Sequence, residues 1–248
     1  MGGNEYHGKV ALVTGAANGL GAGIARRLAD GGARVVVADV DTALAQAVAD
    51  EIGGVFVECD VRDPDHNRAA VEVATAEFGG LDVACLNAGV VTGAAGFDAA
   101  RYREVVATNL DGVVHGIEAV RPALRARGGG DVVVMASMAG LVPMPFDPVY
   151  GATKAAVVNY VRSCAPLVAS EGIRITALCP GFTDTAIIDG FRDVIRELDL
   201  AVLDVSDVVT AFESVLASSS AGECWYVVPG QPSAPMAFAT PPGMAGAN

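Results

Sequence analysis

Seven short runs of β-branched and apolar residues, six of them followed by a longer stretch with helical spacing, decide what this chain can fold into. The runs fall at residues 9–14 (KVALVT), 33–39 (ARVVVAD), 55–60 (VFVECD), 81–87 (LDVACLN), 131–137 (DVVVMAS), 172–179 (GIRITALC) and 223–228 (ECWYVV). Helical stretches are expected at 19–30, 42–52, 65–78, 99–126, 148–170 and 206–218, with a short mobile one at 183–198. Strands that read as continuous apolar runs are buried on both faces. Alternating βα units of this kind imply a parallel sheet with right-handed crossovers and helices on both sides. The expected fold is therefore α/β. It is a single-domain Rossmann fold over residues 1–248, with a doubly wound, seven-stranded parallel sheet. Ligands belong at the carboxyl ends of its strands.

The ending differs. Residues 229–248 carry Pro229, Pro232, Pro235, Pro241 and Pro242, so this tail cannot be regular helix or central strand. It is expected to be disordered or to lie across a neighbouring subunit.

Charge and cysteine usage narrow the class. With 29 acidic against 16 basic residues the net charge is −13, which repels phosphate backbones and anionic membranes. Neither nucleic acid nor membrane is an expected partner. No apolar run is long enough to span a bilayer, and residues 1–7 lack the basic flank and apolar stretch of a secretory signal. Cys59, Cys85, Cys164, Cys179 and Cys224 are odd in number and form no CxxC pair, as expected of buried reduced thiols in a cytoplasmic protein. His7, His66 and His115 are scattered, without carboxylates at ligand spacing, so no metal site is expected.

After the first strand comes TGAANGLG, with Gly15, Gly19 and Gly21 around Asn18 and Leu20. A tight turn with close backbone approach needs glycine, and the following helix points its N-terminal amides at an anion such as a pyrophosphate. Asp39 ends the second strand, 18 residues past Gly21, where a carboxylate accepts hydrogen bonds from ribose hydroxyls and repels a 2′-phosphate. Val40, not a cation, follows it. The combination favours NAD(H) over NADP(H).

Tyr150 and Lys154 stand four residues apart, on one face of an expected helix. A nearby ammonium favours the phenolate and so brings tyrosine toward the range useful for acid/base work. Ser137 ends the fifth strand, 13 residues earlier, where its hydroxyl can steady charge on a substrate oxygen.

Together these residues resemble the short-chain dehydrogenase/reductase family. The likeness runs from residues 14–21 through Asp60 and Val61, Asn87, Ala88 and Gly89, Asn109, Ser137, Tyr150 and Lys154 to Pro180 and Gly181. The resemblance implies Tyr150 as proton donor and acceptor, Lys154 as the group that lowers its pKa and binds the nicotinamide ribose, and Ser137 as the orienter of the substrate oxygen. It implies that Asn109 shapes the helix for a proton relay, and that Asp60, Val61 and Asn87 border adenine and its ribose. Thr183 and Thr185 would hold carboxamide and phosphates. Hydride transfer to the 4-pro-S face and a homodimer or homotetramer built on the two long helices are also implied. The stretch from Cys179 to Ile188 is similar to 15-hydroxyprostaglandin dehydrogenases, a mild lean toward a hydroxylated lipid-like or cyclic alcohol.

By position, Val90, Val91, Met138, Ala139, Met144, Phe182, Ile187, Ile188 and Phe191 should line the substrate side. Such a list suits an uncharged substrate, and residues 183–198 could close over it. The expected activity is hydride transfer between nicotinamide and an apolar secondary alcohol or ketone. A non-catalytic NAD-binding protein of the same fold is the alternative. An epimerase of the extended branch would need more chain after the sixth strand.

Overall fold

The computed structural model describes residues 5–93 and 97–239. Eight strands form one sheet: β1 (Val10–Thr14), β2 (Arg34–Asp39), β3 (Val55–Glu58), β4 (Val83–Leu86), β5 (Gly130–Met135), β6 (Ile173–Pro180), β7 (Cys224–Val227) and β8 (Ala234–Pro235). Their order is β3-β2-β1-β4-β5-β6-β7-β8. All neighbours are parallel except the last pair. The order reverses between β1 and β4, and the crevice above their carboxyl ends is where such sheets bind ligands.

Among the described residues eight α-helices connect or flank the strands: α1 (Gly19–Asp30), α2 (Thr42–Ile52), α3 (Pro64–Phe78), α4 (Ala99–Val106), α5 (Gly112–Ala126), α6 (Pro148–Val168), α7 (Arg192–Glu197) and α8 (Val205–Ala217). Side chains alternate across the strands, so the core has two halves. Leu12, Val36 and Val134 pack with Ile117 of α5 and Val161 of α6. Val13, Val37 and Val133 pack with Leu28 of α1 and Phe212 of α8 on the other face. Short polar side chains fix where helices begin: Asp41, Asp63, Asp98 and Asp147 each accept a first-turn amide. No described helix is long and apolar enough to cross a membrane.

Two expectations need correction. The sheet has eight strands, not seven. In the tail, Ala234 and Pro235 pair antiparallel with Tyr226 and Trp225 of β7. Proline donates no ladder hydrogen bond, so it is tolerated at this outer edge. Ala234 to Met236 of the tail are therefore held against β7 of the chain's own sheet, with the Met236 amide donating to the Cys224 carbonyl; 240–248 are outside the described residues. The second correction concerns the expected single helix over 99–126. A π-helical turn at Ala107–Asp111 divides it, with Asn109 fully buried inside. Such turns insert a residue into the helical ladder and often occur at functional sites.

Candidate active site

A cavity of about 730 Å³ opens above the carboxyl ends of the strands. At one end the β1–α1 turn supplies Gly15, Asn18, Gly19 and Leu20, and β2 supplies Asp39 and Val40. Gly15 and Gly19 both have positive φ, and a Cβ on Gly15 would lie 2.8 Å from the Ala88 Cα. Asn18 precedes α1 without capping it through its side chain, so its side chain does not occupy the first-turn amides of this helix. That is the form a dinucleotide pyrophosphate requires, and the residues present fit a nicotinamide cofactor.

Asp39 is partly engaged already. One carboxylate oxygen accepts from the Ala17 amide at 2.9 Å and the other from the Asp41 amide at 3.0 Å. These bonds hold the carboxylate beside the glycine turn and leave lone pairs for further donors. Asp60 and Val61 also border the cavity. The Asp60 carboxylate takes the guanidinium of Arg62 in a bidentate pair, which holds its pKa below the usual range despite partial burial. Arg62, another lining residue, is thereby a paired cation.

Asn87, Ala88 and Gly89 form the middle of the wall. Asn87 Nδ2 donates to the carbonyls of Thr14 and Gly15 at 3.0 and 2.9 Å, and its amide donates to Thr14 Oγ1 at 3.0 Å. These bonds tie the end of β4 to the glycine turn. Gly21 does not reach the cavity. It packs beneath the turn, where a Cβ would lie 2.1 Å from the Gly15 carbonyl oxygen.

Farther along, Ser137, Tyr150, Lys154, Pro180, Gly181, Thr183 and Thr185 converge on the same space. Ser137 Oγ accepts from the Ala139 amide at 3.1 Å and donates to the Pro180 carbonyl at 3.4 Å. Thr183 and Thr185 donate to the Gly181 and Thr183 carbonyls. Lys154 is 2% exposed and donates to the Met135 carbonyl at 2.7 Å. Its ammonium lies 5.6 Å from the centre of the Tyr150 ring. Burial lowers the Lys154 pKa to about 8.

Burial also dominates at the Tyr150 phenol. Burial pushes it up to about 12, with a smaller opposing effect from a hydrogen bond to Ser137 and further upward pressure from Asp147. In the chain by itself, desolvation of the phenolate is the largest effect on this phenol. Asn109 sits behind the wall: its Oδ1 accepts from the Val90 amide and its Nδ2 donates to the Val90 carbonyl, both at 2.8 Å.

The expected substrate-side residues all border the cavity, from Val90 and Val91 through Met138, Ala139 and Met144 to Phe182, Ile187, Ile188 and Phe191. Sequence reasoning missed Val142, Phe146, Leu200, Val228 and Pro229, which complete this apolar end. Only the tail prolines hinted at that part of the wall. It also missed Asp147, although an Asp-Pro pair before an expected helix marks an N-cap and N1. His115 lies in α5, with Nδ1 3.3 Å from the Val61 carbonyl oxygen. The five thiols are free, Cys164 half-buried and the others buried, and no cluster of metal-binding side chains exists among the described residues.

Residues 9–194 match the short chain dehydrogenase family model. The chain belongs to this family. It is 39% identical over 202 residues to a cis-4-hydroxycyclohexanecarboxylate dehydrogenase of Sinomonas cyclohexanicum, covering 78% of this chain and 81% of that protein. It is 36% identical over 198 residues to a cyclohexanol dehydrogenase of an Acinetobacter species, covering 77% and 79%. Among solved structures it superposes on a 3-ketoacyl-(acyl-carrier-protein) reductase of Brucella melitensis complexed with NADH, with a TM-score of 0.84 and 31% identity over 90% of this chain and 97% of that one. These likenesses make it an oxidoreductase acting on CH–OH donors with a nicotinamide cofactor. The local similarity to hydroxyprostaglandin dehydrogenases is not shown by them.

Proposed function

We propose that this chain is an NAD(H)-dependent dehydrogenase of apolar, cyclic secondary alcohols, with Tyr150 as the acid/base. The observation that carries the reading is the convergence of Ser137, Tyr150 and Lys154 on one wall of a cavity whose far end is the glycine turn and Asp39. The apolar substrate end and the relatives named for cyclohexanol and hydroxycyclohexanecarboxylate support the substrate class.

In the oxidising direction Ser137 and Tyr150 take the substrate hydroxyl between them. Tyr150 accepts the hydroxyl proton as the carbonyl forms, and Ser137 steadies the oxygen. When bound, nicotinamide would supply the hydride acceptor, and its positive ring would favour the phenolate that burial alone disfavours. Lys154, with a pKa of about 8, can exchange a proton near neutral pH and hold the ribose hydroxyls. Asn87, Asp39, Thr183 and Thr185 would hold the rest of the dinucleotide. Residues 183–198 act as a lid that excludes water. A homodimer or homotetramer in the cytoplasm is the assembly we infer, supported by the family resemblance, the acidic surface and the free buried thiols.

The test is turnover of NAD with cyclohexanol and related cyclic alcohols by the wild type and by Tyr150→Phe. Loss of one acid/base group costs about 10²–10⁴-fold in rate. Equal turnover in both proteins would return the chain to the alternative, a non-catalytic NAD-binding protein. Fluorescence titration should show NADH bound more tightly than NADPH, with Asp39→Ser narrowing the gap; a wild-type preference for NADPH removes the role given to Asp39.

A further inference from the structure

Asp147 is 1% exposed, the least exposed carboxylate among the described residues, and the steps above make no use of it. It precedes α6, and Oδ1 accepts from the Tyr150 amide at 3.0 Å, closing the helix's first turn. The other oxygen reaches 55 residues back along the chain, where it accepts from the Thr92 amide at 2.7 Å. Thr92 follows Val90 and Val91, which line the cavity. A helix cap needs one oxygen, and serine supplies it as well as aspartate. A buried carboxylate is costly unless its hydrogen bonds are satisfied, and here both oxygens are used.

We propose that Asp147 is a positioning residue that locks Tyr150 to the substrate-side wall, and that its buried carboxylate helps to raise the pH at which Tyr150 can take the substrate proton. The proposal rests on the reading of Tyr150 as acid/base. A like charge beside a phenol disfavours the phenolate, and Asp147 acts on Tyr150 in that direction.

The other groups facing the phenol are few. Lys154 lies on the same helix, Cys179 at the end of β6, and Ser137 after β5. Of the charges on the packed elements, Arg101 of α4 is bound to the Val91 carbonyl and to Glu104. Asp111 of the π turn is exposed, and Arg174 of β6 is paired with Asp131. None of these replaces Asp147 as the buried acid beside Tyr150.

The experiment measures kcat/KM for cyclohexanol oxidation against pH in the full chain with saturating NAD. Asp147→Ser keeps a good cap and removes both the charge and the Thr92 bond; Asp147→Asn removes the charge with less change in size. In both, the midpoint of the rise with pH should fall by about half a pH unit or more, and KM for the alcohol should rise several-fold. Asp147→Glu should return the midpoint toward the wild-type value. NADH affinity within about twofold of wild type certifies folded variants. A folded Asp147→Ser protein with the wild-type midpoint overturns the proposal. Should the neutral variants fail to bind NADH, Thr92→Pro removes the same donor while leaving Asp147 charged. It should raise KM without lowering the midpoint, and an unchanged KM overturns the lock. A wild type without Tyr150-dependent turnover sinks the acid/base reading instead, and shows itself before any Asp147 variant is compared.

Discussion

The Asn109 side chain clasps the backbone of Val90 with two bonds of 2.8 Å, accepting from its amide and donating to its carbonyl. The same Nδ2 donates to Thr153 Oγ1 at 3.2 Å, and Thr153 donates to the Tyr150 carbonyl at 2.8 Å. One fully buried amide thus joins the π turn, the loop after β4 and the helix that carries Tyr150 and Lys154.

Asn109→Leu keeps the branching and number of heavy atoms, with some added bulk, and deletes all three bonds. The Val90 amide and carbonyl are then left without these partners, at a cost of about 1–3 kcal/mol. Urea unfolding should show that loss, and kcat for alcohol oxidation should fall because the wall and α6 are no longer registered. Wild-type stability in the leucine variant would mean that the clasp contributes nothing.

The glycine turn gives a second prediction. Gly21→Ala places a Cβ 2.1 Å from the Gly15 oxygen and 2.6 Å from Asn87 Nδ2, and the first of these neighbours is backbone. The turn must open, so NADH affinity should fall at least about tenfold, or roughly 1.4 kcal/mol. Gly190→Ala is the control, since no heavy atom lies within 4 Å of its added Cβ and its φ is ordinary. Fluorescence titration of both variants checks the contrast; equal affinities would show that the turn tolerates a side chain.

Much of this was legible in the sequence because the signals were periodic or chemically narrow. The run ARVVVAD can only be a strand buried on both faces, and it ends on Asp39 beside the glycine turn. Tyr150 and Lys154 shared a helix face by spacing alone. The π turn at Asn109 was hidden, since one inserted residue leaves the apolar rhythm of 99–126 nearly intact on either side. The eighth strand is two residues long and half proline, below any pattern. The upward push of burial on the Tyr150 phenol was invisible for a different reason: the neighbouring lysine shows in the sequence, whereas desolvation depends on what packs around the ring.

Asp82 supplies a prediction on acid stability. Its carboxylate accepts from the Val10 amide at 2.9 Å and from Arg127 at 2.9 Å, with Lys9 at 3.6 Å. Burial pushes its pKa up, but the Arg127 bond, the Val10 amide and the two cations outweigh that and leave it below the ordinary value. A depressed folded pKa means stability that is present above the unfolded value, near 3.9, and is lost as pH falls through the folded one. Asp82→Asn should therefore be less stable than wild type at pH 7 by about 1–3 kcal/mol, with the difference shrinking below about pH 4. Denaturant unfolding at both pH values measures it; a gap that stays constant would place the effect in packing and not in charge.

Lys154 should show the opposite balance between stability and function. Burial lowers its pKa from 10.5 to about 8. Between those values the unfolded chain holds the proton that the folded chain has lost, so this group makes stability rise with pH across that window. Below it, the folded chain carries an ammonium that is 2% exposed and bonded to the Met135 carbonyl. Lys154→Met removes that buried charge and keeps most of the side chain's length. We expect a gain on the order of 2 kcal/mol at pH 7, a smaller gain at pH 10, and a loss of alcohol oxidation. Urea unfolding at the two pH values, run beside the activity assay, separates the outcomes. A methionine variant less stable than wild type at pH 7 would show that the Met135 bond outweighs the cost of burying the ammonium.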